Sequence, residues 1–190
     1  MPNNKRLPLP VVDHSRSEFG LPRTVCACIE CVANCKFLPG YLIPADLDRI
    51  MPPRVDPFTW ATENLRASPG ATVGDLETAR VWRIPTLVPA RTEQGECIYL
   101  DDEDRCRIHA VAPFGCAFFD HRSSGQALSL RGLRAVDQAH REPESLYHRL
   151  WVFLHNTGLV APGPEESRRQ LRRYLEAQQP WWKRRSRRRK

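Results

Sequence analysis

Four cysteines fall within the ten-residue segment Cys26-Ala27-Cys28-Ile29-Glu30-Cys31-Val32-Ala33-Asn34-Cys35. Thiolates at this spacing can meet one ion, because a loop or helical turn brings their side chains to one side. The metal in turn stabilises a charged sulfur that burial would otherwise penalise. The segment is expected to be a tight loop running into a short helical turn. Three more cysteines, Cys97, Cys106 and Cys116, lie far along the chain. The expectation is that Cys28, Cys31 and Cys35 meet at least one of them, so that metal closes a loop of about sixty residues. Cys26 is a further candidate ligand.

Other cysteine chemistries fit less well. Seven cysteines is an odd number, so disulfides cannot use them all. Cys28-Ile29-Glu30-Cys31 has the CxxC form of a redox dithiol, but no βαβ pattern surrounds it. A buried, unligated core cysteine is a reading that stays open for Cys97, which sits in an apolar segment. His109 follows Cys106 by three residues and His121 follows Cys116 by five, so both are candidates to complete a shell. His140, His148 and His155 have no acidic partner at metal spacing and read as structural. Asp101-Asp102-Glu103-Asp104 lacks the glycine and spaced oxygens of a calcium loop and reads as a solvated turn. No P-loop, dinucleotide glycine fingerprint or serine-hydrolase elbow is present.

The rest of the chain suits a metal-stapled fold. Seventeen prolines in 190 residues imply many loops, which ligand bonds can fix where apolar burial is modest. The formal charge of +7 equals that of the last eight residues, Lys183 to Lys190, so the body is formally neutral. That tail, 180–190, is expected to be disordered and to bind polyanions weakly. Trp181 and Trp182 beside it are expected to pack at a helix end. The N-terminal stretch has no apolar signal region, and no segment approaches a membrane span. A reducing cytoplasm is the expected compartment, where clustered cysteines favour metal over cross-links.

Local signals place the elements. Residues 1–24 read as an irregular leader, 25–122 as a cysteine-cluster metal-binding domain and 123–179 as a helical segment packing on it. Pro44 to Ile50 and a segment from Asp56-Pro57 read as helices with proline in the first turn, the second stopped by Ser68-Pro69-Gly70. Residues 80–90 suggest an edge-like strand interrupted by Pro85, and Cys97 to Leu100 a second strand. Residues 105–111 suggest one helical turn. Leu133, Val136, Leu146, Leu150, Phe153 and Leu154 repeat at helical spacing, broken near Pro143. Gly163-Pro164-Glu165-Glu166 opens a last helix carrying Leu171, Tyr174 and Leu175 on one face, ended by Pro180.

Residues 26–120 resemble the YkgJ-type cysteine-cluster family of CxxCxxCC zinc- or iron-chelating domains. The resemblance is carried by Cys28, Cys31 and Cys35, then Leu47-Asp48-Arg49-Ile50, Cys97-Ile98-Tyr99-Leu100, Cys106-Arg107-Ile108, Pro113 and Cys116. The chain departs from the family pattern where Asn34 replaces the first member of an adjacent cysteine pair. It also departs at His109, in place of tyrosine, and at Ala112 and Ala117, in place of arginines. Some relatives are labelled iron–sulfur oxidoreductases, and flagellin lysine methylases share the domain.

The expected fold is α+β: a small, metal-stapled, loop-rich domain with short strands and a helical C-terminal segment. The expected function is chelation of zinc or iron, including an iron–sulfur cluster, through Cys26, Cys28, Cys31, Cys35, Cys97, Cys106 and Cys116. The alternative is an iron–sulfur redox or transfer enzyme. Thiolate ligands suit both metals, so spacing does not separate the two.

Overall fold

The computed structural model describes residues 26–74, 81–118 and 126–179. The leader, His121, the tail tryptophans, Pro180 and the basic tail fall outside them. The described residues form a mixed α+β fold. Helix α1, Ile29–Phe37, starts at Cys28, whose sulfur accepts a hydrogen bond from the Cys31 N–H at 3.4 Å and so acts as the cap. Helix α2 is Pro44–Ile50 and α3 is Pro57–Asn64, each with proline in its first turn. Asp56 caps α3 by accepting from the Thr59 N–H at 2.7 Å.

Helix α3 ends earlier than the sequence suggests. Ser68-Pro69-Gly70 does not stop it; the helix ends at Asn64 and the chain enters strand β1, Leu65–Gly74. β1 pairs antiparallel with β2, Val81–Pro89, with Ser68 opposite Thr86 and Ala71 opposite Ile84. Pro69 and Gly70 therefore oppose Pro85 alone, which makes a bulge. Two prolines without N–H groups meet where the ladder needs no donor, so both are tolerated.

Cys97 to Leu100 is likewise not a strand. Cys97 bridges back to Arg91 and Leu100 bridges forward to Cys106, with a turn between them. The segment is too tightly folded to extend, because each end pairs with a different neighbour. The acidic run is a turn, as its composition suggests. Asp101 accepts from the Glu103 and Arg105 N–H groups, and Asp104 sits in the left-handed region at φ 63°. A 3-10 turn over His109–Val111 leads to the short helix α4, Phe114–Ala117.

Helices α5, Gln126–Arg141, and α6, Leu146–Asn156, flank Pro143, and α7 is Pro164–Gln178. The core joins Leu42, Leu47, Leu65, Leu87, Phe114, Val136, Leu150 and Leu154. Tyr147 of α6 is buried with them. Its hydroxyl donates to the Leu42 carbonyl and accepts from the Leu87 N–H, both at 2.8 Å. It thereby ties β2 to the chain leaving α1. Helix α7 packs on α1, with the Phe37 and Tyr174 rings 5.6 Å apart. No helix among the described residues is long and apolar enough to cross a membrane.

Candidate metal centre

The sulfurs of Cys26, Cys28 and Cys31 all lie within 4.8 Å of one another. The local fold explains this. Cys28 is the cap of α1 and Cys31 sits in its first turn, so both sulfurs lie over the helix N-terminus. Cys26 reaches the same place from the preceding residues. Burial raises the Cys28 thiol above its ordinary value. The Cys31 N–H opposes that rise, and hydrogen bonding with Cys26 and Glu30 adds to it. The positive end of the helix dipole favours the thiolate form that a metal requires. Three sulfurs bound at about 2.3 Å from a tetrahedral ion would be roughly 3.8 Å apart, so a small contraction of the group suffices. The donor set fits a thiophilic ion such as zinc or iron.

The other four cysteines lie on three chain segments that backbone hydrogen bonds hold together. The Cys97 N–H donates to the Lys36 carbonyl at 2.9 Å, beside Cys35. Leu100 bridges to Cys106, and the Arg107 N–H donates to the Tyr99 carbonyl at 2.8 Å. The Gly40 N–H donates to the Cys116 sulfur at 3.2 Å. Burial first, and then the charge of Cys106, pushes the Cys35 thiol up to about 11. Burial raises Cys97 to about 12; the Tyr99 N–H opposes this, Cys106 and Cys35 add to it, and Arg91 opposes it. Cys116 is raised by burial and by the charges of Cys35, Cys97 and Cys106.

Of the candidate histidines, His109 opens the 3-10 turn and its N–H bonds to the Cys106 carbonyl at 3.2 Å. His140 instead places Nδ1 3.2 Å from Nδ1 of His148 and Nε2 3.0 Å from the Pro85 carbonyl, tying α5, α6 and β2 together. His155 stacks on Trp151.

Two supporting residues escape sequence reasoning. Asp46 is fully buried, and its carboxylate accepts from the Ile43 N–H at 2.9 Å and the Phe114 N–H at 2.8 Å. One side chain thus fixes the starts of α2 and of α4, the helix that carries Cys116. Its place in an acid-containing first turn is legible, but its second partner, 68 residues away, is not. Arg91 lies across an antiparallel bridge from Cys97, and its guanidinium donates to Ser167 at 3.0 Å and Gln170 at 3.4 Å.

Fold and site together define a cysteine-rich metal-chelating domain of mixed α+β architecture. The chain belongs to the CxxCxxCC family, described as a "putative zinc- or iron-chelating domain", whose family model matches residues 27–140. No curated protein and no solved structure matches the chain.

Proposed function

We propose that the chain works as a zinc- or iron-binding protein in which cysteine sulfurs are the protein's ligands. The observation that carries this is the convergence of Cys26, Cys28 and Cys31 within 4.8 Å at the start of α1. All seven cysteines are free thiols, which supports metal use in a reducing, cytoplasmic setting. Metal analysis of the purified full chain tests the reading. Stoichiometric zinc or iron is expected, reduced in a Cys28→Ser/Cys31→Ser variant. Metal-free protein purified under anaerobic conditions, or a variant that keeps its full metal content, would sink it. A brown protein with broad visible absorption would place an iron–sulfur centre here and favour redox or transfer chemistry over storage or structural zinc.

The basic tail adds a second property. Seven positive charges in Lys183 to Lys190 support weak, salt-sensitive attraction to polyanions. Deleting those residues is expected to abolish RNA binding and leave metal content intact. Unchanged RNA binding by the truncated chain would move the basic surface into the body.

A further inference from the structure

The cysteines divide by place into two groups. Along α1, Cys28 and Cys35 are separated by about 10 Å of helix axis at 1.5 Å per residue. A single tetrahedral ion holds its sulfurs roughly 3.8 Å apart, so the two ends of α1 cannot share one without unwinding. Cys28 interacts with Cys26 and Cys31 at the start of the helix. Cys35, near its end, meets Cys106, and Cys97 and Cys116 face both of them.

We propose that Cys35, Cys97, Cys106 and Cys116 form a second metal centre, separate from Cys26, Cys28 and Cys31, in which four thiolates from three chain segments enclose zinc or iron. This deepens the chelation reading above and rests on it. The backbone around the four sulfurs is shaped for the task. Gly40 and Gly115 cross so closely that a Cβ on Gly40 would fall 1.9 Å from the Gly115 carbonyl carbon. Only that approach lets the Gly40 N–H reach the Cys116 sulfur. Hydrogen bonds to sulfur are among the means by which proteins tune metal–thiolate centres. Charge is also provided for. Four thiolates around a divalent ion leave two negative charges, and Arg91 stands beside Cys97 as a fixed cation. Its Nε is buried without a hydrogen-bond partner, so it is a donor still available to a charged centre.

Binding is a simple exchange in which the metal takes four sulfur ligands and the four thiol protons pass to solvent, with no change of oxidation state. The two groups then differ in kind. Four thiolates give a closed centre of the structural type, whereas three leave a position for a further donor.

Cobalt(II) titration of the metal-free full chain under anaerobic conditions tests the division. The wild type is expected to take about two equivalents. A Cys26→Ser/Cys28→Ser/Cys31→Ser variant leaves the second group untouched. It should still take one equivalent, with the intense charge-transfer absorption of a four-thiolate site and a raised melting temperature. A Cys97→Ser/Cys106→Ser variant should lose that absorption. A triple-serine variant that binds no cobalt, or binds it without four-thiolate absorption, overturns the second centre. Loss of metal from the wild type altogether would instead overturn the chelation reading beneath it. If the triple variant matched the wild type in stoichiometry and spectrum, the first group would fall and the second would stand.

Discussion

The ammonium of Lys36 lies 2.6 Å from an Asp104 carboxylate oxygen, which joins the residue after Cys35 to the turn that leads into Cys106. Glu96 adds a second carboxylate at 3.1 Å, next to Cys97, and the Tyr174 ring of α7 lies 5.1 Å from the ammonium. Burial would lower the Lys36 pKa, but hydrogen bonds and charge from Asp104 and Glu96 outweigh it and raise the value. One lysine thus spans the segments carrying Cys35, Cys97 and Cys106. Lys36→Met is expected to destabilise the metal-free protein by about 1–3 kcal/mol, since the carboxylates left behind are partly rehydrated. Denaturant titration measures it, and a double-mutant cycle with Asp104→Asn isolates the coupling. A coupling indistinguishable from zero would show the pair to be incidental.

Gly40→Ala is expected to be far more damaging. The new methyl would meet backbone at Gly115, which no side-chain rotation can move aside. A loss of about 3 kcal/mol or more is expected, in the range of strained or overpacked sites, together with loss of the Gly40–Cys116 contact. Gly163→Ala serves as the comparison. Nothing lies within 4 Å of its added methyl, and it changes only the cap of α7, at under about 1 kcal/mol. Equal melting temperatures for the two variants would contradict the close crossing.

Acid should weaken the fold through His140. Burial holds its pKa below the usual 6.5; the Pro85 carbonyl opposes this, the His148 charge adds to it and Asp137 opposes it. The unfolded chain therefore takes up the proton first as pH falls. The histidine's contribution is fully present above about 6.5 and is lost as pH falls through the lower folded value. The slope from this one group stays below about 1.4 kcal/mol per pH unit. Unfolding free energies measured between about pH 7.5 and about pH 5 should show it in the wild type and lack it in His140→Gln. An identical slope in both would assign the acid sensitivity elsewhere.

How much of this was legible in the sequence depends on the range of the interactions. Helices α2, α3 and α7 announce themselves because proline in the first turn and a neighbouring acid act within one turn. The gap between α5 and α6 follows Pro143 for the same reason. Ser68-Pro69-Gly70 misleads because its bulge exists only against Pro85, on a partner strand. Cys97 to Leu100 misleads because its apolar run is bent by pairing with Arg91 on one side and Cys106 on the other. The cysteines were all visible as candidate ligands, and the closeness of Cys26, Cys28 and Cys31 follows from their spacing at a helix start. The company Cys35 keeps was not, since it is set by Lys36 meeting Cys97 and Gly40 crossing Gly115, contacts between residues 61 and 75 positions apart.

Tyr147 separates the inherited signature from the self-sufficient unit. The family match stops at residue 140, in the last turn of α5. Yet the tyrosine hydroxyl that pins Leu42 to Leu87 lies beyond it, as do Leu150 and Leu154, which fill the centre. A fragment excised at the signature's border would leave one amide hydrogen and one carbonyl oxygen stripped of their shared clasp, with apolar walls open to water. The smallest portable piece able to present these cysteines therefore extends through α6 and takes in α7, whose Ser167 and Gln170 hold Arg91 in place.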